Sequence, residues 1–366
     1  ALEPSAAFLA LRDGGEFEDT SSGDPGSIEA RRPLYEEIFA TLAGAGVARD
    51  DLQLAWDFTT ASQESTTGWL VEMRDAALAR VEEQGFPYTI EGIETDWESD
   101  EIAYRVTGTI QVPLFVDDPG PGSMLLFDEA GRPMINPDRE NYDVPFELLI
   151  PHSASADAPA ALMQYGHGLL GSRSQVESGH FRTFMNEYNY AFFGMDLVGM
   201  ADDDVLHITD ILGGGRLDDL QTMFWRMHQG FVNWLVGMRT LSRGITQDET
   251  IGALLDGDTR YYHGISQGGI AGGVYMSITT DVERGVLGVM GQPYNLLLNR
   301  STDFDPFFLV LNLALPDARE QQLGLVLIQQ LWDRVEPNGY SSYIRAGKLP
   351  GTPPHEVLMR VARGDH

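Results

Sequence analysis

The sequence has no cysteine. That excludes a disulfide scaffold, a thiolate nucleophile and thiolate metal sites. Lysine is almost missing too: Lys348 is the only one, and arginine carries the rest of the fixed positive charge. Positive charge as a whole is scarce, with 24 Lys and Arg against 55 Asp and Glu, a formal net charge of −31. Such a surface repels nucleic acid and anionic membranes. It fits a saline or extracytoplasmic setting, secreted or in the cell envelope of a bacterium, and a genome-wide composition bias explains it equally well. Long apolar runs are lacking as well; stretches such as Phe307 to Leu311 are far too short to span a bilayer. The chain opens at Ala1 with no basic segment followed by an apolar one, so any signal peptide is expected to have been removed, or never present.

What is present suits a large core: 366 residues, 43% of them hydrophobic. Helical spacing of apolar residues runs over 27–43 and 65–83. Between them LQLAWDFTT (52–60) reads as a strand, and 102–116 alternates like a long one. Residues 117–143, rich in Asp, Pro and Gly, read as a loop. From residue 144 the pattern changes. Strands are expected at 144–150, 160–165, 190–195, 260–265, 285–290 and 357–361, with helices at 176–187, 217–243 and 269–279. Apolar strands separated by helices imply an α/β protein with a mostly parallel central sheet and helices on both faces. The expected division is an N-terminal α+β extension, 1–143, which adds strands to the sheet edge, and a catalytic domain, 144–366. The pattern breaks at 294–344, an insertion with a helical run over 318–335 that either caps an active site or packs as ordinary helices.

The chemistry-bearing signal is Gly264-Ile265-Ser266-Gln267-Gly268, a G-x-S-x-G motif. A strand, RYYHGI, runs into it and a helix-length stretch of small residues, GGIAGGVYM, follows. A serine on a sharp strand-to-helix turn is lifted out of the sheet, and small residues two before and two after it let strand and helix approach. The helix N-terminus then faces developing negative charge. About a hundred residues earlier, Gln164-Tyr165-Gly166-His167-Gly168-Leu169-Leu170-Gly171-Ser172 follows a predicted strand. Backbone N–H groups of Gln267 and Leu169 are the expected oxyanion donors, with Gly168 letting the loop turn and His167 bracing it.

YGHGLLGS followed by HGISQGG resembles the secreted bacterial lipases and esterases of the α/β-hydrolase superfamily. Gly168-Leu169 is similar to the type that places Gly and a hydrophobic residue at the oxyanion position. LAWDFTT faintly resembles the N-terminal region of large bacterial virulence-factor lipases. The resemblance implies a triad in the order Ser, acid, His. Ala362-Arg363-Gly364-Asp365-His366 ends the last predicted strand, and Gly-Asp there resembles the acid turn, which makes Asp365 the acid; Asp303 and Asp305 are alternatives. The expected base lies on a further strand and loop after His366, on a separate C-terminal fragment or a continuation of the chain. His366 itself is a weaker candidate, and an inactive relative is the third reading. Adjacent residues of an extended segment point apart, so Asp365 and His366 do not readily pair. His152, His180, His228 and His355 have no chemical context, His207 sits in a polar stretch, and His263 is expected to be buried on its strand. Asp202 to Asp204 and Asp303/Asp305 do not match a calcium loop, and no metal or cofactor is expected.

The resulting expectation is a serine carboxylester hydrolase working through an acyl-enzyme on Ser266, its substrate a small-molecule or lipid-like ester. A non-catalytic binding module on the same scaffold is the alternative.

Overall fold

The computed structural model describes residues 3–17, 27–345, 347 and 349–364. The chain forms two compact units, Ala1–Ser62 and Gln63–His366.

In the first unit, helices α1 (Ala6–Asp13) and α2 (Ile28–Gly44) are each capped by a serine, Ser5 and Ser27, that accepts an N–H of the first turn. Phe8, Tyr35 and Phe39 meet edge to face at 5.8–6.3 Å. The strand expected over 52–60 does not form. Its apolar residues alternate in sequence but not in burial: Ala55 is buried, while Gln53, Leu54, Trp56, Asp57 and Phe58 are all exposed. No neighbouring strand pairs with it among the described residues, and a lone extended segment is not a sheet.

The second unit is built on an eight-stranded sheet. Its strands are β1 (Tyr88–Thr95), β2 (Ile102–Pro113), β3 (Asn141–Pro151), β4 (Ala160–Gly166), β5 (Tyr190–Met195), β6 (Leu255–Ile265), β7 (Arg284–Gly288) and β8 (Glu356–Arg360). They lie in the order β1-β2-β3-β5-β4-β6-β7-β8. The β1–β2, β2–β3 and β3–β5 pairs are antiparallel, and all pairs from β5 to β8 are parallel. All six strands expected after residue 144 are present, within a few residues. Strand β1 was not legible: Gly92 and two outward glutamates break its apolar pattern, and it sits on the edge with a bulge at Ile90/Gly92. Residues 63–143, read as part of an N-terminal extension, contribute helix α3 (Trp69–Glu83) and β1 and β2 to this unit.

Helices cover both faces. On one side α4 (Gly179–Tyr188) packs Phe181 and Met185 against Leu149, Met163 and Phe192. On the other lie α3, α6 (Gln221–Arg243) and α7 (Gln267–Ile278). Helix α6 is buried almost all round, which is why its apolar residues show no narrow stripe. Trp234, fully buried, donates its indole N–H to the Met195 carbonyl at 3.0 Å, and its own carbonyl accepts from the Gln164 side chain at 3.3 Å. The other end of Gln164 accepts from Tyr275 at 2.7 Å, so a polar residue in a central strand is satisfied on both sides. Burial of side chains of this size stabilises by roughly 1.5–3 kcal/mol each.

The stretch around His207 is helix α5 (Val205–Gly213), not a polar loop. Asp204, read as part of a solvated acidic turn, is buried; it pairs with Arg226 and accepts the N–H groups of Gly199 (2.8 Å) and Ala201 (3.0 Å). The 294–344 segment is helical: α8 (Tyr294–Leu297), α9 (Asp305–Ala314), α10 (Ala318–Trp332) and short turns.

The sheet order, the helices on both faces and a serine at the β6–α7 turn are those of the α/β-hydrolase fold.

Candidate active site

Among the described residues, three of the seven non-glycine residues with positive φ fall together at the carboxyl ends of adjacent strands. Leu170 (φ 47°) follows β4, Ser266 (φ 58°) follows β6, and Val289 (φ 52°) follows β7. Each is a conformation that side chains disfavour, and a β-branched valine there is a genuine outlier. Such strain persists only where the surroundings over-determine it, and it clusters at functional sites.

Ser266 stands at φ 58°, ψ −122°, the sharp turn between β6 and α7. Its N–H donates to the Gly288 carbonyl at 3.0 Å, and its carbonyl accepts from Ile270 at 2.9 Å. The turn closes because its neighbours lack side chains. A Cβ on Gly264 would lie 2.2 Å from the Gly268 carbonyl oxygen, and one on Gly268 would lie 2.0 Å from the Gly166 oxygen. Tyr262, buried beneath, donates to the Gly268 carbonyl at 2.6 Å.

The loop after β4 is pinned by His167. The Leu197 N–H donates to His167 Nε2 at 2.8 Å, so Nε2 is the acceptor and Nδ1 carries the proton, which it donates to the Gly168 carbonyl at 2.9 Å. Burial holds this imidazole below its ordinary pKa, so it stays neutral. The Gly168 N–H donates to Gln175 Oε1 at 2.8 Å, and Gly171 closes the turn onto the Gly168 carbonyl at 3.1 Å.

A cavity of about 710 Å³, counted together with the solvent at its mouth, brings Ser266, Gln267 and Leu169 together with Val289, Met290, Tyr294, Ser301 and Asp303. Of the two alternative acids, Asp303 reaches this cavity, and Asp305 is not among its lining residues. Asp365 and His366 lie outside the described residues.

Most of the described histidines are hydrogen-bonded or ion-paired elsewhere. His152 pairs with Asp96, His207 with Thr222 (2.9 Å), His228 with the Phe224 carbonyl (2.7 Å) and His355 with the Thr279 carbonyl (3.0 Å). His180 lies against Phe181. His263 is half-buried among Tyr165, Phe181 and Phe192, and burial, with Arg360 nearby, lowers its pKa to about 4. Among the described residues no hydrogen bond joins a histidine to Ser266, and no acidic or histidine cluster suited to a metal ion is found.

Sequence reasoning missed Val289 and Tyr294. Val289 reads as one more strand residue; its turn is set by its N–H bonding to the Arg360 carbonyl at 2.7 Å, a contact between distant segments. Tyr294 donates to the Gln267 side-chain oxygen and stacks on Trp332 at 3.9 Å.

No protein-family model matches the sequence, and no curated protein matches it. Among solved structures, the chain is similar to an acetyl xylan esterase from Paenibacillus sp. R4, with 12% identity over 85% of this chain and 92% of that one, TM-score 0.45. It is similar also to acetyl xylan esterase 1 from Thermoanaerobacterium sp. JW/SL YS485, with 12% identity over 84% and 93%, TM-score 0.45. These are distant likenesses of chain path, and the activities named are those of the other proteins.

Proposed function

We propose that this protein is a serine carboxylester hydrolase acting through an acyl-enzyme. The observation that carries the reading is the strained Ser266 turn, which shares one cavity with Gln267 and Leu169 at the carboxyl edge of the sheet. In this mechanism Ser266 Oγ attacks the ester carbonyl while a histidine takes its proton. The oxyanion is held by the N–H groups of Gln267 and Leu169. The histidine returns the proton to the leaving alcohol, and water, activated in the same way, releases the acid. Each oxyanion donor is worth about 3 kcal/mol of barrier.

Asp365 is the proposed acid. The proposed base is a histidine outside the described residues: His366, or one on a segment after it. Strand β8 forms the sheet edge and leaves Leu358, Met359 and Val361 exposed, an apolar border that a further strand would cover. The residues 294–344 act as a cap, supported by Tyr294, Leu297, Ser301 and Phe304 lining the cavity. No helix among the described residues is long and apolar enough to cross a membrane; an extracytoplasmic location rests on the acidic composition alone.

A second reading is favoured by one observation, that no hydrogen bond joins a histidine to Ser266 among the described residues: a binding module that retains the scaffold without its chemistry. A fluorophosphonate probe with intact-mass readout separates the two. The hydrolase reading expects one adduct, mapped to Ser266 and lost in Ser266→Ala, with kcat/KM for p-nitrophenyl acetate falling at least about 10⁴-fold. A folded protein that neither labels nor turns over the ester would establish the binding module instead.

A further inference from the structure

A second, apolar chamber, about 750 Å³ counted together with the solvent at its open side, lies beside the cavity that holds Ser266. The two share Leu169 and Phe304 in their walls. The chamber is bounded by the loop after β4 and by α5, α6, α9 and α10. Of its eighteen lining residues, Gln321 alone is not apolar. The Gln321 amide is spent elsewhere, donating to Asn312 Oδ1 at 2.6 Å and to the Leu315 carbonyl at 2.5 Å. No lining side chain carries a charge.

Resting on the hydrolase reading above, we propose that this chamber holds the hydrocarbon chain of the acyl group, so that the substrate is a medium- to long-chain acyl ester. Leu169 belongs to both cavities, and its N–H is one of the two proposed oxyanion donors. An ester carbonyl held there has its acyl tail beside Leu169 and Phe304, the two residues that border both cavities. A sugar or a charged acyl group would leave buried hydroxyls or charge without partners, at a cost of several kcal/mol for each group in such surroundings. An acetyl group needs none of this space. A methylene chain fills it with favourable transfer and nothing left unpaired.

The test is kcat/KM for p-nitrophenyl esters from acetate to dodecanoate. Each added methylene is expected to raise it by up to about fourfold until the chamber is full, with decanoate at least tenfold above butyrate. A flat or falling series beyond butyrate overturns the proposal. Methyl decanoate and decyl acetate then assign the side: a gain that follows the alcohol chain means the chamber takes the leaving group, and the proposal fails. Leu212→Trp on α5 and Leu325→Trp on α10 fill the chamber from two different walls. In either folded variant the decanoate-to-acetate ratio falls tenfold or more, and an unmoved ratio in both counts against the proposal. The ester series in the unaltered protein decides even where neither variant folds.

Failure of the hydrolase reading looks different, since no ester is then turned over at all. Calorimetry on the Ser266→Ala protein covers that case. The chamber is expected to bind 1-decanol at least tenfold more tightly than 1-hexanol, and equal affinities would rule it out as an alkyl site.

Discussion

Tyr294 on α8 donates its phenolic hydrogen to the side chain of Gln267, the residue that follows Ser266. Both are buried, and the Gln267 Nε2 has no other partner among the described residues. Through this bond the 294–344 segment holds the first turn of α7, where one proposed oxyanion donor sits. Tyr294→Phe keeps the ring stacked on Trp332 and removes only the hydroxyl. Urea unfolding is expected to show a loss of about 1–3 kcal/mol, because the Gln267 amide is left unpaired at both ends. The kcat for a soluble ester should fall several-fold with KM little changed; an unchanged kcat in a destabilised protein would make the bond purely structural.

The glycines of the turn differ sharply from an open glycine such as Gly179. Gly268→Ala would put a Cβ 2.0 Å from the Gly166 backbone oxygen, which cannot swing aside. Loss of more than about 3 kcal/mol or no soluble protein is expected. Gly179→Ala at the start of α4 meets no atom within 4 Å and has no positive φ. It should be neutral or stabilising by up to about 1 kcal/mol. Equal thermal stability of the two variants would show that strand and helix are not in the close contact described.

His167 is a brace, and its removal should act through the loop. His167→Ala leaves the buried Leu197 N–H without an acceptor and frees the Gly168 carbonyl. We expect kcat and the rate of fluorophosphonate labelling to fall in parallel, by tenfold or more. Labelling at the normal rate would mean that the loop keeps its shape unaided.

Glu336 sets a pH dependence. It is fully buried and accepts from Gln329 at 2.6 Å, and its second oxygen has no close hydrogen-bond partner among the described residues. Burial is the main cause that raises its pKa from an ordinary 4.5 to about 7, and Asp333 adds to it. The folded state therefore binds more protons than the unfolded one between those values. Its contribution to stability is full below about 4.5 and is lost as pH rises through 7. Glu336→Gln removes that slope. Urea titrations at pH 5 and pH 8 should show the variant gaining on the unaltered protein by up to about 3 kcal/mol at the higher pH. A difference independent of pH would mean that Glu336 is charged throughout.

Much of this was legible because it is local. Strand β6 running through Gly264-Ile265-Ser266-Gln267-Gly268 into α7 is one contiguous segment, and its small residues announce the close approach. The parallel strands after residue 144 show as short apolar runs because both their faces are covered. The failures have the opposite character. LQLAWDFTT alternates like a strand, yet strand formation needs a partner that sequence does not display. Helix α5 was hidden by the acidic run before it, in which Asp204 turns inward to Arg226, 22 residues later.

Residue order alone was enough to determine the class of fold, through the alternation of apolar strands with helices, and to point to the serine turn and the glycine loop, since each is written as one contiguous motif. Only the tertiary structure decided the left-handed turn at Val289, the grip of Tyr294 on Gln267 and the apolar chamber behind Leu169. Those depend on side chains from segments far apart in the chain, and no period or motif records which of them meet.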